Sequence, residues 1–313
     1  MDISLIIVNY KSADVLLKCV ESAIEHLANL NYEILIVDNN SPDKDSLLKL
    51  SGKNGVRLFF RNVNDGFGKG CNFAATNAIG KILVFVNPDI LFADDTLSGI
   101  FGIMENNHSI AVCSPIFVGQ DGEIKYTFNK FPDLIWELYN FLGKGFEIRL
   151  NKLYNDNRIM ESSKEAMFVD WITAACLFVR KDVFCKVNGF SDDFFLYYED
   201  VDLQKRISGL GFKIACIPFY KVFHFSNYST KQDEGHDLYN LEMNRSKLIY
   251  ANRNFGFLKK FLFQWINITG IIVRIIALKF RDRYSDIRLK KTKQYKDILN
   301  IYLGNNNLIS KLL

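Results

Sequence analysis

The stretch ISLIIVN at residues 3–9 is a continuous apolar and largely β-branched run that ends on an amide side chain. Such a run predicts a strand that is buried on both faces of a sheet. Ser12 follows and can begin a helix, because apolar residues recur after it at helical spacing. A strand joined directly to an amphipathic helix predicts the first unit of an α/β fold.

The same unit repeats along the first quarter of the chain. Apolar runs predict further strands at 33–37 (EILIV), 56–60 (VRLFF) and 82–86 (ILVFV). Helical patterns around 47–48 and at 71–79 lie between them. Strict alternation of strand and helix predicts a parallel sheet with right-handed crossovers.

Past Asp89 the pattern becomes mixed. We predict a helix at 96–106, a hairpin that starts with a strand at 110–118, and an irregular segment at 129–165. The later predicted elements are strands at 167–170, 174–179 and 213–217, a helix from Lys181, and a helix at 199–208. The predicted fold class is α/β, with a mainly parallel central sheet and a helical C-terminal extension.

Polar side chains follow each of the first four predicted strands. Asn9 ends the first run, Asp38 follows the second, Asn64 lies just beyond the third, and Asn87 and Asp89 follow the fourth. The carboxyl ends of parallel strands meet at one edge of the sheet, where ligands bind in such folds. This alignment predicts a binding site at that edge.

The composition of the 313 residues, 49% hydrophobic and 24% charged, excludes a disordered, collagen-like or low-complexity chain. The six cysteines form no CxxC pair and no cluster with histidine at zinc spacing, so reduced thiols are expected and structural zinc is not. The N-terminal residues MDISLIIVNY lack the basic region and cleavage site of a signal peptide. We therefore expect a cytoplasmic protein.

A glycine-rich loop, NDGFGKGCN at residues 64–72, lies between the third predicted strand and a helix. Its alternate glycines, among them Gly66 and Gly70, let backbone approach a ligand, and the helix start offers free amides to a phosphate. The loop is neither GxGxxG nor a Walker motif. A dinucleotide-dependent oxidoreductase and a P-loop NTPase are therefore disfavoured.

The segment VNPD at residues 86–89 places Asp89 just past a hydrophobic strand. One carboxylate, with phosphate oxygens and water, is a common way to hold Mg²⁺ or Mn²⁺ when the substrate carries phosphates. The alternative is an aspartate that caps the next helix or closes a turn.

The segment GFSDDFFLYYEDVDLQKR at residues 189–206 carries Glu199, Asp200 and Asp202 directly after four aromatic residues. Amides and the dipole at a helix start stabilise a carboxylate as the anion, which suits a general base. For Asp202 we prefer helix capping. His224 is either a core residue or a ligand, and Trp171 either a core residue or a platform for a sugar ring.

In chain order, VNY, VDNNSPD, NDGFGKGCN, VNPD, WITAACLFVRKDVFCKVNGFSDDFFLYYEDVDLQKR and His224 resemble glycosyltransferase family 2, and within it the bacterial rhamnosyltransferase-like members. The resemblance covers roughly residues 1–230. It implies a GT-A catalytic domain over 1–230, with a nucleotide-binding half at 1–90 and an acceptor-binding half at 91–230. Residues 231–313 would then form a basic helical extension.

The resemblance also implies roles for individual residues. It assigns Asn9 and Asp38 to the nucleotide, and Asn64, Gly66, Phe67 and Gly70 to the border of the donor. VNPD corresponds to the family's DXD element, with Asp89 on the metal, Asn87 where many members have aspartate, and His224 completing the metal site. Trp171 would line the acceptor side, Asp200 matches the catalytic base, and Glu199 is its acidic neighbour.

The implied reaction is an inverting, metal-assisted transfer of a sugar from a nucleotide diphosphate to a glycan or lipid-linked acceptor, with dTDP-rhamnose as the first candidate donor. Two other hypotheses stay open. A sugar-nucleotide nucleotidyltransferase also uses such a sheet, but a basic glycine-rich loop after the first strand is absent. A binding protein with an inactive site is the other, because Asn87 weakens the metal element.

The C-terminal part of the chain is basic and apolar. From Arg245 to the end there are fifteen Lys and Arg and three Asp, a balance of +12 against +4 for the whole chain. Residues 261–278 form a wide apolar face with one polar stripe, and Arg274 argues against a spanning helix. We expect residues 257–313 to lie on an anionic membrane at its inner face, or else to pack on the catalytic domain or in a homodimer. Nucleic acid is not an expected partner.

Overall fold

A computed structural model describes residues 1–27, 29–125, 128–142, 163, 165–225, 235–281 and 285–304. The chain divides into a first unit, residues 1–131 with 154–229, and a second unit, residues 132–153 with 230–313. The sequence predicts a division at residue 230. In the structure, the second unit also takes in residues 132–153, which the sequence assigns to the acceptor-binding half.

The described strands are β1 (Ile3–Asn9), β2 (Tyr32–Asp38), β3 (Val56–Phe60), β4 (Ile82–Val86), β5 (Ile90–Leu91), β6 (Ile110–Val118), β7 (Ile124–Lys125), β8 (Phe128–Asn129), β9 (Met167–Val169), β10 (Trp171–Ile172), β11 (Cys176–Arg180) and β12 (Lys213–His224). The described α-helices are α1 (Ala13–Glu25), α2 (Phe67–Asn77), α3 (Thr96–Asn106), α4 (Leu134–Leu142), α5 (Lys181–Lys186), α6 (Glu199–Gly209), α7 (Gly235–Asn254), α8 (Phe257–Arg281) and α9 (Ser285–Tyr302). A 3₁₀ helix covers Lys44–Leu50.

The main sheet runs in the order β3-β2-β1-β4-β11-β6-β12-β5, with β7 on β6 and β9 on β12. Strands β1 to β4 are parallel to their neighbours among themselves. Strand β11 lies antiparallel between β4 and β6, and β12 runs parallel to β6. The parallel half brings the carboxyl ends of four strands to one edge, as the sequence predicts.

The period-2 alternation of β1 supplies both layers of the core. Leu5 and Ile7 pack in the layer that includes Leu16 of α1, whereas Ile6 and Val8 pack in the layer that includes Cys71 of α2. All of β1 is buried, because helices cover both faces of the sheet. A strand buried on both faces explains why its sequence is apolar without alternation.

The second unit is helical in the described residues. Its core brings together Phe263 and Ile271 of α8 with Ile298, Ile301 and Tyr302 of α9, and α8 also packs against α4 and α7. Residues Phe257–Lys279 of α8 are long and apolar enough to cross a membrane by length and composition, with a mean hydropathy of 1.8. The share of that stretch buried within the protein is small.

Most predicted elements form, and two differ for physical reasons. The strand predicted at 213–217 continues to His224, because after a bulge it pairs again with β6 and then with β5. The helix predicted at 71–79 begins at Phe67, since glycines that read as loop residues are helical there. The segment predicted as irregular at 129–165 contains α4, and most of the rest of it lies outside the described residues.

Candidate active site

Asn9 and Asp38 end neighbouring parallel strands and are paired directly in the register of β1 and β2. Both side chains are fully buried. Asn9 Nδ2 donates a hydrogen bond to Asp38 Oδ1 at 2.8 Å, and the amide of Ser41 donates to Asp38 Oδ2 at 2.9 Å. The two residues predicted at this edge therefore meet, and the carboxylate of Asp38 is satisfied within the protein.

Asp43 joins this network, although the sequence did not single it out. Its Oδ2 accepts the amide hydrogen of Ala13 at 2.9 Å at the start of α1. Burial raises the pKa of Asp43, but hydrogen bonds from Ser41, the Ala13 amide and Asn9 outweigh burial and leave the pKa below its ordinary value. The predicted cap, Ser12, instead donates its hydroxyl to Asn9 Oδ1 at 3.0 Å. An anionic Asp43 therefore caps α1 from a distant loop.

The glycine-rich loop lies between the end of β2 and the segment before α6. Gly66 has a φ of 100°, and a side chain there would collide with the carbonyl oxygen of Phe195. The amide of Phe67 donates to that same oxygen at 3.1 Å. The amide of Gly66 donates to Asn64 Oδ1 at 3.2 Å. Close backbone approach therefore explains the glycine at position 66.

Asn39 and Gly70 link this loop to the end of β2. Asn39 Nδ2 donates to the carbonyl of Gly66 at 3.0 Å, and Gly70 faces both Asn39 and Val8 with no room for a side chain unless they shift. Gly66 and Gly70 of the predicted donor border thus contact Asn39 and Val8, the chain neighbours of the predicted nucleotide residues Asp38 and Asn9.

Asp89 and His224 meet beyond the end of β4. His224 Nε2 lies 3.3 Å from Asp89 Oδ1, and the two side chains are 16% and 12% exposed. Pairing of β12 with β5 brings them together, since His224 is in register with Ile90. His224 also packs edge-on against Phe117. The sequence left His224 open between a core residue and a ligand, and the structure places it beside the carboxylate of VNPD.

The short segment Ala174–Ala175 joins this pair to the acids of α6. The amide of Asn87 donates to the carbonyl of Ala175 at 2.8 Å, and the amide of Ala174 donates to Asp200 Oδ2 at 3.1 Å. VNPD and the segment at 189–206 are more than a hundred residues apart in sequence. The antiparallel pairing of β11 with β4 brings these two segments together, so that Ala175 contacts VNPD and Ala174 contacts Asp200.

Glu199 and Asp200 occupy the first turn of α6. Asp200 Oδ1 accepts from the Val201 amide at 2.8 Å, in addition to the Ala174 bond, so both of its oxygens are held. Glu199 is 5% exposed, and its Oε2 is buried without a hydrogen-bond partner among the described residues. An unpaired buried carboxylate oxygen is costly and rare in native proteins.

Burial dominates the electrostatics of this pair. It raises the pKa of Glu199, with a further increase from the neighbouring Asp200, to about 8. Burial also raises the pKa of Asp200, although the amides of Ala174 and Val201 act in the opposite direction. The sequence predicts that the helix start stabilises the anion. The amides do bind Asp200, but burial overrides them.

The backbone before α6 is strained. Tyr197 and Tyr198 have φ values of 68° and 64°, a left-handed conformation that bulky residues rarely adopt. Two such residues in sequence turn the chain sharply and deliver Glu199 and Asp200 directly at the helix start. Backbone strain of this kind clusters at functional sites.

The sequence predicts that Asp202 caps a helix, whereas the structure places it inside the first turn of α6, where it pairs with Arg206. It is 2% exposed, and Arg206 Nε donates to its Oδ2 at 2.8 Å within the same helix. Arg206 also donates to the carbonyl of Val187. Asp202 therefore ties α6 to the segment after α5.

Trp171 begins the short strand β10 and is partly exposed. Its Nε1 donates to the carbonyl of Lys130 at 2.8 Å, and its strand β10 pairs with β8. The next residue, Ile172, is clamped by Gln204, which accepts its amide at 2.8 Å and donates to its carbonyl at 2.7 Å. Gln204 fixes β10 on α6. No sequence signal separates it from an ordinary helical glutamine.

Among the described residues, no group of three or more His, Cys, Asp or Glu comes close enough to hold a metal. The Asp89–His224 pair therefore offers two ligands at most. All six cysteines are unpaired, as predicted.

Comparison with known proteins gives the chain its family. The family model described as glycosyl transferase family 2 matches residues 4–170. An N-acetylglucosaminyl-diphospho-decaprenol L-rhamnosyltransferase of Mycobacterium tuberculosis is 24% identical over 64% of this chain and 68% of its own length. Rhamnosyltransferase WbbL of Escherichia coli K12 is 27% identical over 80% of this chain and 96% of its own length.

Solved structures give the fold. GalNAc-T7, crystallised with UDP, GalNAc and Mn²⁺, superposes with a TM-score of 0.60 at 13% identity and covers 98% of this chain and 56% of its own. A mannosyltransferase from Pyrobaculum calidifontis, in complex with GDP-mannose and Mn²⁺, superposes with a TM-score of 0.58 at 13% identity, over 97% of this chain and 86% of its own. Both likenesses show the GT-A fold that the sequence predicts. With the family match across more than half of its residues, this chain belongs to glycosyl transferase family 2 and is a glycosyltransferase of rhamnosyltransferase-like sequence.

Proposed function

We propose that this enzyme transfers a sugar from a nucleotide diphosphate donor to an acceptor hydroxyl with inversion at the anomeric carbon, and that Asp200 is the general base. The observation that carries the proposal is the acid pair at the start of α6. There, one carboxylate is held by two amides, and its neighbour has one buried oxygen without a hydrogen-bond partner among the described residues.

The base role follows from how the two acids differ. Asp200 accepts two amide hydrogen bonds, which favour its anion, whereas Oε2 of Glu199 is buried without a hydrogen-bond partner among the described residues, and the pKa of Glu199 is raised to about 8. A proton shared by the pair is therefore expected to lie on Glu199 rather than on Asp200. A base whose pKa lies above that of an ordinary carboxylate also accepts a proton from a hydroxyl more readily.

In the proposed step, Asp200 accepts the proton of the acceptor hydroxyl as its oxygen attacks the anomeric carbon. The bond to the diphosphate breaks on the opposite side, and configuration is inverted. A second carboxylate that acts as nucleophile is not needed for inversion. The protonated Glu199 would keep a second negative charge away from Asp200 and hold the turn.

The Asp89–His224 pair fits a divalent cation in donor type. One carboxylate oxygen and one imidazole nitrogen face each other at 3.3 Å, and both side chains are mostly buried. This donor set suits Mn²⁺ better than Mg²⁺, since imidazole is a softer ligand than oxygen. With two protein ligands, the remaining positions would be filled by diphosphate oxygens and water. A cation held there would neutralise the charge that develops on the leaving diphosphate.

The nucleotide is assigned to the network at the ends of β1 and β2, with Asn9 and Asp38 at its floor. Asp38 is fully buried. It therefore acts mainly by fixing Asn9 and the loop that begins at Ser41. Asn64, Gly66, Phe67 and Gly70 border the donor, and Asn87 stands beside it. Trp171, whose neighbour Ile172 is held by Gln204 of α6, is assigned to the acceptor.

Similarity to the two rhamnosyltransferases supports rhamnose, carried by dTDP, as the first donor to test. The name of the mycobacterial relative supports a lipid-linked acceptor, and a role in cell-surface polysaccharide synthesis at the inner face of the membrane follows from that choice. The competing hypothesis is a binding protein with an inactive site, which would bind the nucleotide but not transfer a sugar.

A two-part experiment tests the proposal. Thermal shift with UDP, dTDP and GDP, each with and without Mn²⁺, ranks the nucleotides, because a ligand at 100 times its Kd stabilises by about 2.7 kcal/mol. Release of nucleoside diphosphate from dTDP-rhamnose and other donors then measures turnover. We expect EDTA to abolish turnover and Mn²⁺ to restore it, and Asp89→Asn to lose the Mn²⁺-dependent shift. Full activity in EDTA would remove the metal from the proposal, and binding without turnover on any donor would favour the inactive protein.

A further inference from the structure

We infer that the outward face of α8 is a docking surface for a membrane that carries anionic lipids. This goes beyond the proposed function, because it concerns the second unit and requires neither donor nor acceptor. The surface, called here the outward stripe, consists of Leu258, Phe261, Trp265, Ile272, Val273 and Ile276, which are between 42% and 68% exposed.

The outward stripe is one continuous helix face. Apart from the adjacent pair Ile272 and Val273, its members recur at intervals of three, four or seven residues, so they line up along about five turns of α8. Phe261 and Trp265 are in ring contact, with centroids 6.1 Å apart. Scattered apolar residues are normal on a protein surface, but a contiguous apolar face of this length marks an interaction site.

The opposite face of the same helix is already used. Phe263 and Ile271 are buried in the core of the second unit, and Gly270 lies against Phe141 of α4. Asn267 also lies on this side and donates to the carbonyl of Phe263 at 2.9 Å. The sequence alone predicts a polar stripe and an apolar face but does not say which faces out. In the structure, polar Asn267 lies towards the packed side, and the apolar stripe is left exposed.

Packing on one side decides between crossing a membrane and lying on it. Helix α8 passes the length and composition test for a span. However, α4, α7 and α9 pack against it, and α9 presents exposed Lys290, Lys293 and Lys296. Those charges would have to enter the hydrocarbon with a spanning α8, which is costly. A helix that lies in the interface, apolar face down, avoids this cost.

Charge decides between a membrane and a second copy of the chain. Helix α8 carries five Lys or Arg and no acidic residue, and the chain from Arg245 onward has a balance of +12. An isologous dimer through the outward stripe would bring two such basic surfaces together, and like charges repel. Anionic headgroups would complement the same charge, and each basic residue near them adds attraction. Trp265 suits the headgroup region, where one end of the ring is apolar and the other wet.

The test uses the full-length protein and two kinds of vesicle. One is phosphatidylcholine alone, and the other contains roughly one third phosphatidylglycerol to imitate an anionic leaflet. We expect flotation with the anionic vesicles, weak flotation with the neutral ones, and loss of binding at high salt. The double variant Trp265→Glu/Ile272→Glu should reduce partitioning by at least about tenfold, since binding scales with the apolar area inserted. The matched control is Leu48→Glu, an equally exposed leucine in the first unit, which should bind like the wild type.

A second readout keeps the proposal testable if the double variant folds poorly. Anionic vesicles should shift the tryptophan emission of the wild type to the blue, and Trp265→Phe, a mild change, should remove most of that shift. No flotation and no shift with the wild type would overturn the proposal. So would a wild-type dimer in solution that the stripe variants convert to a monomer. Since the vesicles contain no sugar donor or acceptor, these outcomes do not depend on whether the proposed reaction is correct.

Discussion

At the ends of β1 and β2, Asn9, Asp38 and Asp43 form a network in which each carboxylate accepts hydrogen bonds from neighbouring groups. At the start of α6, Glu199 is also buried, but its Oε2 has no hydrogen-bond partner among the described residues. The consequence for acidity is opposite. The pKa of Asp43 falls below its ordinary value, whereas the pKa values of both Glu199 and Asp200 rise.

The difference shows how a single fold treats binding and chemistry. A network in which every carboxylate is hydrogen-bonded is rigid and keeps its carboxylates ionised. These properties suit a binding site for a nucleotide. A buried acid pair with an unmet hydrogen bond and a strained turn before it is costly to maintain. Perturbed acids of this kind in an enzyme are candidates for proton transfer.

The largest effect is expected at Asp200. The substitution Asp200→Asn keeps the shape of the side chain and removes its basicity, so kcat should fall by at least about a hundredfold. Nucleotide affinity should stay near that of the wild type, because Asp200 is assigned to the acceptor hydroxyl. Steady-state kinetics and calorimetry measure the two quantities. Asp192→Asn, an exposed aspartate in the same segment, is the matched control. An active Asp200→Asn beside an inactive Glu199→Gln would move the base to Glu199.

Asp38 should behave in the opposite way. In Asp38→Ala, the Asn9 amide group and the Ser41 amide lose their buried acceptor, which costs about 1–3 kcal/mol of stability. We expect a lower Tm and nucleoside diphosphate affinity reduced roughly tenfold, which corresponds to about 1.4 kcal/mol, with less effect on kcat at saturating donor. Asp45→Ala, an exposed residue in the following 3₁₀ helix, is the control. Unchanged affinity by calorimetry would take Asp38 out of the nucleotide site.

Glu199 tests the shared proton. Burial and Asp200 raise the pKa of Glu199 from 4.5 to about 8 in the folded protein, so between these values the folded chain holds a proton that the unfolded chain releases. Stability attributable to Glu199 should therefore fall as the pH rises from about 4.5 to about 8. Glu199→Gln has no carboxyl group to titrate, so its stability should not fall in this way. The Tm of the variant should therefore rise relative to that of the wild type as the pH increases from about 4.5 to about 8. Its kcat should fall less than that of Asp200→Asn. A Tm difference that does not vary with pH would contradict the assignment.

The smallest effect on chemistry is expected at Asp202. This carboxylate is bonded to Arg206 inside α6, so Asp202→Asn should lower stability by about 1–3 kcal/mol and leave the rate per folded molecule near that of the wild type. Denaturant unfolding and active-site titration separate the two. If the rate per folded molecule falls as far as in Asp200→Asn, the turn and the helix behind it act as one unit.

The amino-acid sequence by itself determined the α/β alternation and the parallel first half of the sheet, and it predicted a site where the carboxyl ends of these strands meet. These rest on local patterns, namely apolar runs, helical spacing and polar residues at strand ends, which each segment carries on its own. It also predicted that Asp202 is structural, as a helix cap, but its pairing with Arg206 inside α6 was seen only in the structure. The family motifs added the roles that no spacing rule supplies.

Only the tertiary structure decided which of these residues meet and in what state. Asp89 finds His224 through the pairing of β12 with β5, and Asp200 finds the Ala174 amide through β11, contacts between segments far apart in sequence. The sequence did not predict the roles of Asp43 and Gln204, because their hydrogen-bond partners lie on other elements. The raised pKa values of Glu199 and Asp200 likewise depend on burial, a property of the folded chain, which outweighs the helix start that the sequence revealed. The tertiary structure also decided which face of α8 is exposed. One side packs against three other helices, and the apolar side opposite remains exposed.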